Sequence, residues 1–277
     1  EGLHYLGVSI FNHILSGRST MRILLIRHGD PDYVNDTLTE KGRREAALLA
    51  KRAVSMNMGE CYKSPLGRAK DTATPCLEVT GKTAEILDWL QEFPAQVDLN
   101  KNPELEKAYP DVKKEGGYFL PRIAWDMVPG YWTEHEAYMD KNTWRETEVA
   151  KNSDLVEVYD HVIEEFDRFL AEHGYVREGA HYRVEKESDE TVTFFCHFGI
   201  SCVLLSHLWN VSPFVLWHSL ALAPTSVTEV VTEEREQGTA YFRGLKVGDI
   251  SHLYAGGEEP SFAARFCETY SNKEQRH

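Results

Sequence analysis

Two strongly apolar runs in this chain each end at a histidine. The run Arg22–Ile26 is followed by Arg-His-Gly, which places a histidine at position 28, and the run Thr191–Cys196 is followed by His197. Runs that are apolar throughout are typical of central strands covered on both faces. Ligands of open α/β sheets bind at the carboxyl ends of the strands. The two histidines are therefore predicted to lie at one ligand-binding edge.

Predicted helices alternate with predicted strands through most of the chain. Thr39 is the predicted N-cap of a helix with a stripe of alanine and leucine. The other predicted helices are Arg68–Val79, Asp154–His173 and one that starts near Gly199, and further strands are predicted at Cys61–Lys63 and Thr83–Leu87. Pro75 puts the second half of its helix in doubt. This alternation predicts an α/β fold with a mainly parallel sheet sandwiched by helices.

The ends of the chain and its middle depart from this pattern. Residues 1–20 precede an internal methionine and are interpreted as an extension, native or introduced by cloning. Residues 21–277 are predicted to form one domain. Five prolines and a glycine pair break the pattern at about 94–151, which predicts a cap insertion over one end of the sheet. Val227–Thr232 and Thr239–Leu245 are predicted to pair antiparallel at the sheet edge.

The balance of charge argues against several classes of partner. Acidic residues exceed basic ones by 14 in a chain of 277 residues, which disfavours binding to nucleic acid or to an anionic membrane surface. The most apolar stretch, residues 194–224, is interrupted by histidines and prolines, so it is not predicted to span a membrane. An anionic ligand would need a local group of Arg and His side chains.

The cysteines predict neither a disulfide framework nor a zinc site. They lie at positions 61, 76, 196, 202 and 267, and no pair has Cys-x-x-Cys spacing. No basic segment precedes an apolar block at the N-terminus, which disfavours a secretory signal. We therefore expect a cytoplasmic protein with reduced thiols, no metal and no cofactor.

A third strand end adds a second arginine to the predicted edge. A serine–proline pair at 64–65 follows the short strand and leads to Arg68. Arginine matches phosphate oxygens in bidentate geometry, so Arg27 and Arg68 with the two histidines indicate a phosphoryl group. A neutral imidazole can also attack phosphorus and hold the phosphoryl covalently.

These motifs, in this order, resemble those of the histidine phosphatase superfamily, the phosphoglycerate mutase-like group. They are Arg-His-Gly at 27–29, Ser-Pro-Leu-x-Arg-Ala-x-x-Thr-Ala at 64–73, Leu-x-Glu at 90–92 and the late strand that ends at His197. The run Leu-Thr-Glu-Lys-Gly-Arg at 38–43 is also typical. The resemblance covers most of residues 22–245. The tripeptide alone is a weak signal, whereas the ordered combination is specific.

The resemblance implies a role for each residue of the site. His28 would be the nucleophile that becomes phosphohistidine. Arg27, Arg68 and His197 would bind the phosphoryl group and stabilise the charge on its equatorial oxygens. Glu92 would protonate the leaving oxygen and then activate water, which requires a carboxyl that stays protonated near neutral pH. No metal would be required, because the arginines take its place.

Some positions depart from the usual pattern of the family. Asp30 follows the glycine where Gln, Glu or Thr is common. Asn35 lies seven residues past the nucleophile, where the family often has Asn after six, and it stays a candidate phosphate ligand. Phe198 stands between His197 and the next glycine.

The general acid has competitors in the sequence. Glu85 and Asp88 also lie near the end of the third strand. Glu92 is preferred because of its Leu-x-Glu context. A comparison of Glu92→Gln with Glu85→Gln would test this preference.

The sequence thus predicts a metal-independent histidine phosphatase that hydrolyses a small phosphomonoester. A mutase would return the phosphoryl group to substrate, but the stretch after Glu92 lacks the Arg-rich pattern of such mutases. A phosphate- or phosphopeptide-binding module would not need the nucleophile, and a scaffold would need neither histidine. Neither nucleic acid nor membrane is an expected partner, and the oligomeric state and the substrate are not predicted.

Overall fold

The structure is a computed structural model that describes residues 20–262 and 269–272. The predicted extension, residues 1–20, lies outside the described residues except for Thr20. One large sheet organises the rest. Its strands are β1 (Arg22–Arg27), β2 (Glu60–Lys63), β3 (Ala84–Ile86), β4 (Tyr175–Glu178), β5 (His181–Val184), β6 (Thr191–Cys196), β7 (Val227–Glu236) and β8 (Thr239–Asp249).

Helices cover the sheet, and short elements fill the connections. The longer helices are α1 (Glu40–Met56), α2 (Gly67–Thr80), α3 (Leu155–Glu172), α4 (Phe198–Trp209), α5 (Pro213–Ser219) and α6 (Ser251–Gly256). Two-residue strands pair Pro31–Asp32 with Thr37–Leu38, Gln96–Val97 with Arg122–Ile123, and Lys114–Glu115 with Tyr118–Phe119. Single helical turns lie at Asp88–Leu90, Pro103–Lys107, Pro129–Trp132, Glu136–Tyr138, Thr143–Glu146 and Glu148–Lys151. No helix in these described ranges is both long and apolar enough to cross a membrane.

The main sheet is mixed, which confirms the α/β class and adds an antiparallel half. The strand order is β4-β5-β8-β7-β1-β6-β2-β3. Strands β1, β6, β2 and β3 are parallel, and the remaining pairs are antiparallel. The β7–β8 pair was predicted at the edge of the sheet. It lies inside the sheet because the hairpin of β4 and β5, which the sequence analysis missed, pairs with β8.

The central strand β1 is buried on both faces, as its continuous apolar run predicted. Ile23 and Leu25 contribute to a large core beneath α3, α4 and α5, whereas Leu24 and Ile26 contribute to a smaller core beneath α1 and α2. This split follows from the alternation of side chains along a strand. Burial on both faces holds β1 rigidly, so the residues that follow it have a fixed position.

A side-chain cap marks the start of helix α1, whereas packing explains how far helix α2 continues. Thr39 caps α1 as predicted, since its side chain accepts a hydrogen bond from the Gly42 N–H. Helix α2 continues through Pro75 to Thr80, past the point where the sequence put it in doubt. Its buried face includes Ala69 and Cys76, on either side of the proline. Packing of that face against α1 and the sheet offsets the hydrogen bond that proline removes.

The proline-rich segment 94–151 consists of short elements that pack on the side of α3, α4 and α5. The Trp144 ring lies 4.9 Å from that of Tyr159, and the Tyr138 ring 5.0 Å from that of Phe214, centroid to centroid. These aromatic side chains belong to the large core. The segment is therefore anchored by burial although it has little regular structure.

The left-handed backbone at Gly59 gives a direct test of the packing between β2 and β6. Gly59 has φ +59°, and a Cβ there would lie 1.7 Å from the Thr191 carbonyl oxygen. Gly81 has a similar φ of +65° with open space around it. We expect Gly81→Ala to lower the free energy of unfolding by about 1 kcal/mol, the cost of the left-handed conformation alone.

Gly59→Ala should cost more than about 3 kcal/mol, because the clash with backbone adds to the same conformational cost. Urea unfolding followed by circular dichroism measures both variants. Equal losses would show that the close approach of Gly59 to β6 contributes nothing.

Candidate active site

The register of two neighbouring strands brings His28 and His197 together. Strands β1 and β6 are parallel, and Arg27 is paired with Cys196 at their carboxyl ends. The next residue in each strand direction is a histidine. The two imidazole rings lie 5.1 Å apart, centroid to centroid, and both side chains are buried. The edge predicted from the sequence therefore exists, with both histidines on it.

The hydrogen bonding of His28 leaves one ring nitrogen available. Its Nδ1 lies 2.7 Å from the Gly29 carbonyl oxygen. Because a carbonyl oxygen can only accept, Nδ1 carries the hydrogen and Nε2 keeps its lone pair. Burial lowers the pKa of His28 well below its usual 6.5, and the charges of Arg27 and Arg68 lower it further. The imidazole is therefore neutral near pH 7, the form that can act as a nucleophile.

Two helices hold the backbone that follows His28. The Gly29 N–H donates to Thr72 Oγ1 of α2 at 2.9 Å, and the Asp30 N–H donates to Glu45 Oε2 of α1 at 2.8 Å. A Cβ on Gly29 would lie 2.8 Å from the carbonyl oxygen of Gly42, so only glycine permits this approach. The loop that follows His28 is therefore fixed on both sides.

Glu45 is a buried carboxylate that the sequence analysis did not single out. It is fully buried, and its second oxygen accepts a hydrogen bond from the Ser261 N–H at 3.2 Å. Burial raises the pKa of Glu45 to about 7, although the Asp30 N–H opposes the effect. Ser261 Oγ also donates to Asp30. The C-terminal part of the chain is thus bonded to the loop after His28.

His197 is oriented by a serine from the neighbouring strand end. Its Nε2 lies 2.7 Å from Ser64 Oγ, and Ser64 directly follows β2. Its Nδ1 is buried and has no hydrogen-bond partner among the described residues. Burial lowers the pKa of His197 well below 6.5, and the proximity of His28 and the charges of Arg68 and Arg27 add to the effect. A ring held at one nitrogen and available at the other can bind a phosphate oxygen.

Protein oxygen atoms fix the positions of the two arginines. Arg27 Nη1 donates to the Leu222 carbonyl oxygen, and its guanidinium lies 5.7 Å from the centre of the Phe198 ring. Arg68 Nη1 donates to Asp36 Oδ1 at 2.7 Å. Guanidinium groups held in this way lose little entropy when they bind a phosphate.

Asp36 is the residue that orients Arg68, and the sequence analysis missed it. Its second carboxylate oxygen accepts the Gly67 N–H at 2.6 Å. Although burial acts against it, this N–H and the Arg68 guanidinium lower the pKa of Asp36. The Arg68 guanidinium also lies 5.3 Å from the centre of the ring of Tyr33, which is 57% exposed. Tyr33 therefore stands at the mouth of the site.

Glu92 lies just beyond the turn Asp88–Leu90, against the first turn of α4. Its Oε1 accepts hydrogen bonds from the N–H groups of Phe93 at 2.8 Å and Ile200 at 3.0 Å. Burial raises the pKa of Glu92, although those N–H groups and the Arg27 charge oppose the effect. The carboxyl therefore keeps its proton to a higher pH than an exposed glutamate does, as a general acid requires.

The other predicted residues have exposed side chains. Glu85 and Asp88, the alternative acids, are exposed. Asn35 is also exposed, and its side chain donates to Asp32 Oδ2 at 2.7 Å. Its contact with phosphate stays a prediction. The five residues that the structure brings together are Arg27, His28, Arg68, Glu92 and His197, and their catalytic roles also stay predictions.

The supporting residues had only weak signals in the sequence. Ser64 and Thr72 belong to the motif that carries Arg68, so their place beside the site could have been suspected from that motif. Asp36 and Glu45 are acidic residues in a chain rich in acids, and nothing in their spacing marks them. In the part of the chain that the structure describes, no group of three or more His, Cys, Asp or Glu side chains is arranged to hold a metal ion.

Two neutral imidazoles, two fixed guanidinium groups and a carboxyl of raised pKa lie at one sheet edge, and their charges are complementary to a phosphoryl group. Comparison with known proteins gives the following similarities. The model of the histidine phosphatase superfamily (branch 1) matches residues 23–118. A probable phosphatase of Schizosaccharomyces pombe is 24% identical over 247 residues, which cover 84% of this chain and 95% of that protein.

Solved structures have the same fold. Mycobacterial hydrolase 1 has a TM-score of 0.53 and 18% identity, over 83% of this chain and 99% of that one. A variant phosphoserine phosphatase of Entamoeba histolytica, in complex with phosphoserine, has a TM-score of 0.51 and 15% identity, over 84% of this chain and 99% of that one. A mycobacterial glucosyl-3-phosphoglycerate phosphatase with inorganic phosphate has a TM-score of 0.51 and 17% identity, over 83% and 98%.

Residues 23–118 match the model of the histidine phosphatase superfamily, in agreement with the resemblance of the ordered motifs. The similar proteins include phosphatases, in agreement with the predicted enzyme class, a histidine phosphatase. The family model ends at residue 118, before β6 and His197. The structure brings this second histidine to the matched motifs.

Ser64→Ala tests whether the serine positions His197. Removal of the 2.7 Å hydrogen bond should lower kcat about tenfold, the equivalent of one net hydrogen bond. It should also shift the pH profile of kcat, because His197 loses its partner at Nε2. Ser64→Thr, which keeps the hydroxyl, should recover part of the activity.

Ser206→Ala is the matched control. Ser206 is equally buried, in α4, and its hydroxyl lies 3.0 Å from that of Tyr159. Ser206→Ala should lower the stability of the protein without changing the pH profile of kcat. A profile that is unchanged in Ser64→Ala would contradict the positioning role.

Proposed function

We propose that this chain is a metal-independent phosphatase that hydrolyses a small phosphomonoester through a phosphohistidine on His28. The observation that carries the proposal is the neutral His28 ring, whose Nδ1–H is held by the Gly29 carbonyl while Nε2 keeps a lone pair. His197 and the two arginines surround that ring. The similarity to phosphatases of small phosphorylated compounds supports the substrate class.

The first step transfers the phosphoryl group to the enzyme. His28 Nε2 donates its lone pair to phosphorus, and the bond from phosphorus to the ester oxygen breaks. Glu92 gives its proton to that oxygen, which leaves as an alcohol. Arg27, Arg68 and the Nδ1 of His197 bind the phosphoryl oxygens and stabilise their charge. The negative charge of the Glu92 carboxylate is then offset by the nearby Arg27.

The second step returns the enzyme to its starting state. The Glu92 carboxylate takes a proton from water, and the water oxygen attacks phosphorus. The bond between phosphorus and His28 Nε2 breaks, and the electron pair returns to the imidazole. Inorganic phosphate leaves, and Glu92 is protonated again, so protons and electrons balance over the cycle. The arginine pair supplies the positive charge that a metal ion supplies in other phosphatases.

The nucleophile is tested by release of phosphate from p-nitrophenyl phosphate in EDTA. We expect turnover by the wild type and a loss of at least about 10³-fold in His28→Ala, since the covalent route is removed. A quench in alkaline detergent should trap an alkali-stable, acid-labile phosphoenzyme in the wild type alone. His161→Ala, an exposed histidine on α3, is the control and should retain full activity.

Three outcomes would redirect the proposal. If His28→Ala retained turnover, His28 would not be the nucleophile. If the wild type formed phosphoenzyme from a phosphorylated sugar acid and released no phosphate, the mutase alternative would replace hydrolysis. If it bound phosphate without forming phosphoenzyme, the chain would be a binding module.

The general acid is tested by the dependence of kcat/KM on pH and on the leaving group. Because the pKa of Glu92 is raised, its proton is present through the acidic range and is lost as pH rises through that pKa. The rate with alkyl phosphates should therefore fall on the alkaline side. Glu92→Gln should lower it by about 10²-fold or more, with a smaller loss for p-nitrophenyl phosphate, whose leaving group needs no proton.

Glu85→Gln is the matched control on an exposed carboxylate of the same strand region. It should keep the wild-type profile. If Glu92→Gln kept the wild-type rate, or if Glu85→Gln lost the fall in rate on the alkaline side, Glu92 would not be the general acid.

A further inference from the structure

A cavity of about 490 Å³ lies beside the phosphoryl site, between the segment 111–132 and α5. None of the five predicted site residues lines it. Three indole rings form much of its wall, and three charged side chains line another part: Trp125, Trp132, Trp217, Asp111, Arg122 and Asp126. Aromatic walls with a few polar groups are typical of small-molecule sites.

Trp125 and Trp217 connect this cavity to the predicted catalytic residues. The Trp125 ring lies 5.7 Å from that of Phe198, centroid to centroid, and the Arg27 guanidinium also lies 5.7 Å from the centre of the Phe198 ring. Trp217 Nε1 donates to the Gly199 carbonyl oxygen at 3.0 Å. A Cβ on Gly199 would lie 2.7 Å from Glu92 Oε1. The cavity wall therefore adjoins the carboxyl of Glu92, the proposed general acid.

The charges in the cavity are acidic on balance. Arg122 donates to Asp126 and lies 3.5 Å from Asp111, so the one guanidinium is shared by two carboxylates. His218 adds no charge, because Nδ1 lies 2.7 Å from the Phe214 carbonyl oxygen and Nε2 accepts the Met127 N–H. Burial also lowers the pKa of His218. Two carboxylates and one guanidinium leave one net negative charge, which a second anionic group on the substrate would meet here.

We propose that this cavity receives the leaving group, and that the substrate is the phosphate ester of a neutral, hydroxyl-bearing ring such as a sugar. This inference rests on the function proposed above. Indole faces pack against the C–H surface of a sugar ring, and the carboxylates of Asp111 and Asp126 accept hydrogen bonds from hydroxyl groups. Leaving groups with a carboxylate or a second phosphate are disfavoured by the same two residues.

The first test compares two substrates on the wild-type enzyme. Glucose 6-phosphate has a neutral ring as its leaving group, whereas 3-phosphoglycerate has a carboxylate. We expect kcat/KM for glucose 6-phosphate to exceed that for 3-phosphoglycerate by at least about tenfold. p-Nitrophenyl phosphate has an aromatic ring without sugar hydroxyls. Its kcat/KM reports contact with the indole rings alone, and its difference from that of glucose 6-phosphate reports recognition of the hydroxyl groups.

Two variants locate the preference in the cavity. Trp132→Ala should raise KM for glucose 6-phosphate about tenfold with little change in kcat, because it removes binding that is equal in ground and transition states. Competitive inhibition by inorganic phosphate, which needs only the phosphoryl site, should not change. Asp111→Lys alters an exposed side chain and should raise kcat/KM for 3-phosphoglycerate relative to glucose 6-phosphate.

The outcomes separate this inference from the proposed function. If phosphate release depended on His28 but showed no preference for the neutral sugar, the cavity assignment alone would be overturned. The same would follow if the preference existed but both variants left it unchanged. A wild type that prefers 3-phosphoglycerate would overturn it as well. Absence of turnover on every ester would overturn both proposals.

Discussion

The parallel pairing of β1 with β6 is the constraint on which the site depends. Because Arg27 is paired with Cys196, the residue after each lies at the same height above the sheet, and both are histidines. A register shift of one residue would turn one imidazole to the opposite face of the sheet. Burial of β1 in two cores makes that shift costly, so the packing of the whole domain sets the 5.1 Å separation of the rings.

The chain has an excess of acidic residues, yet side chains within the site give it a local positive charge. Burial keeps both imidazoles neutral, while Arg27 and Arg68 supply the positive charge. The guanidinium groups are oriented from outside the site, by the Leu222 carbonyl and by Asp36. The arrangement is therefore assembled before substrate arrives, which is the condition under which fixed charges stabilise a transition state most effectively.

The strand ends could be predicted from the sequence because their signals are local: an apolar run, then a histidine. The same locality explains the correct Thr39 cap. The place of the β7–β8 pair could not be predicted, since it depends on a hairpin, Tyr175–Val184, whose partner is distant in sequence. Asp36 was missed for a similar reason, and so was the contact of Ser64 with His197, because their partners Arg68 and His197 are brought to them only by tertiary packing.

The strand order has a consequence for how the chain reaches this state during synthesis. The first strand, β1, lies between β6 and β7, both of which belong to the last third of the chain. Until those segments leave the ribosome, β1 has two unpaired edges and an apolar surface on each face, the kind of segment that aggregates. In the order of synthesis, β1 therefore precedes both strands that pair with it, and His28 acquires its neighbour His197 only after β6 has been made.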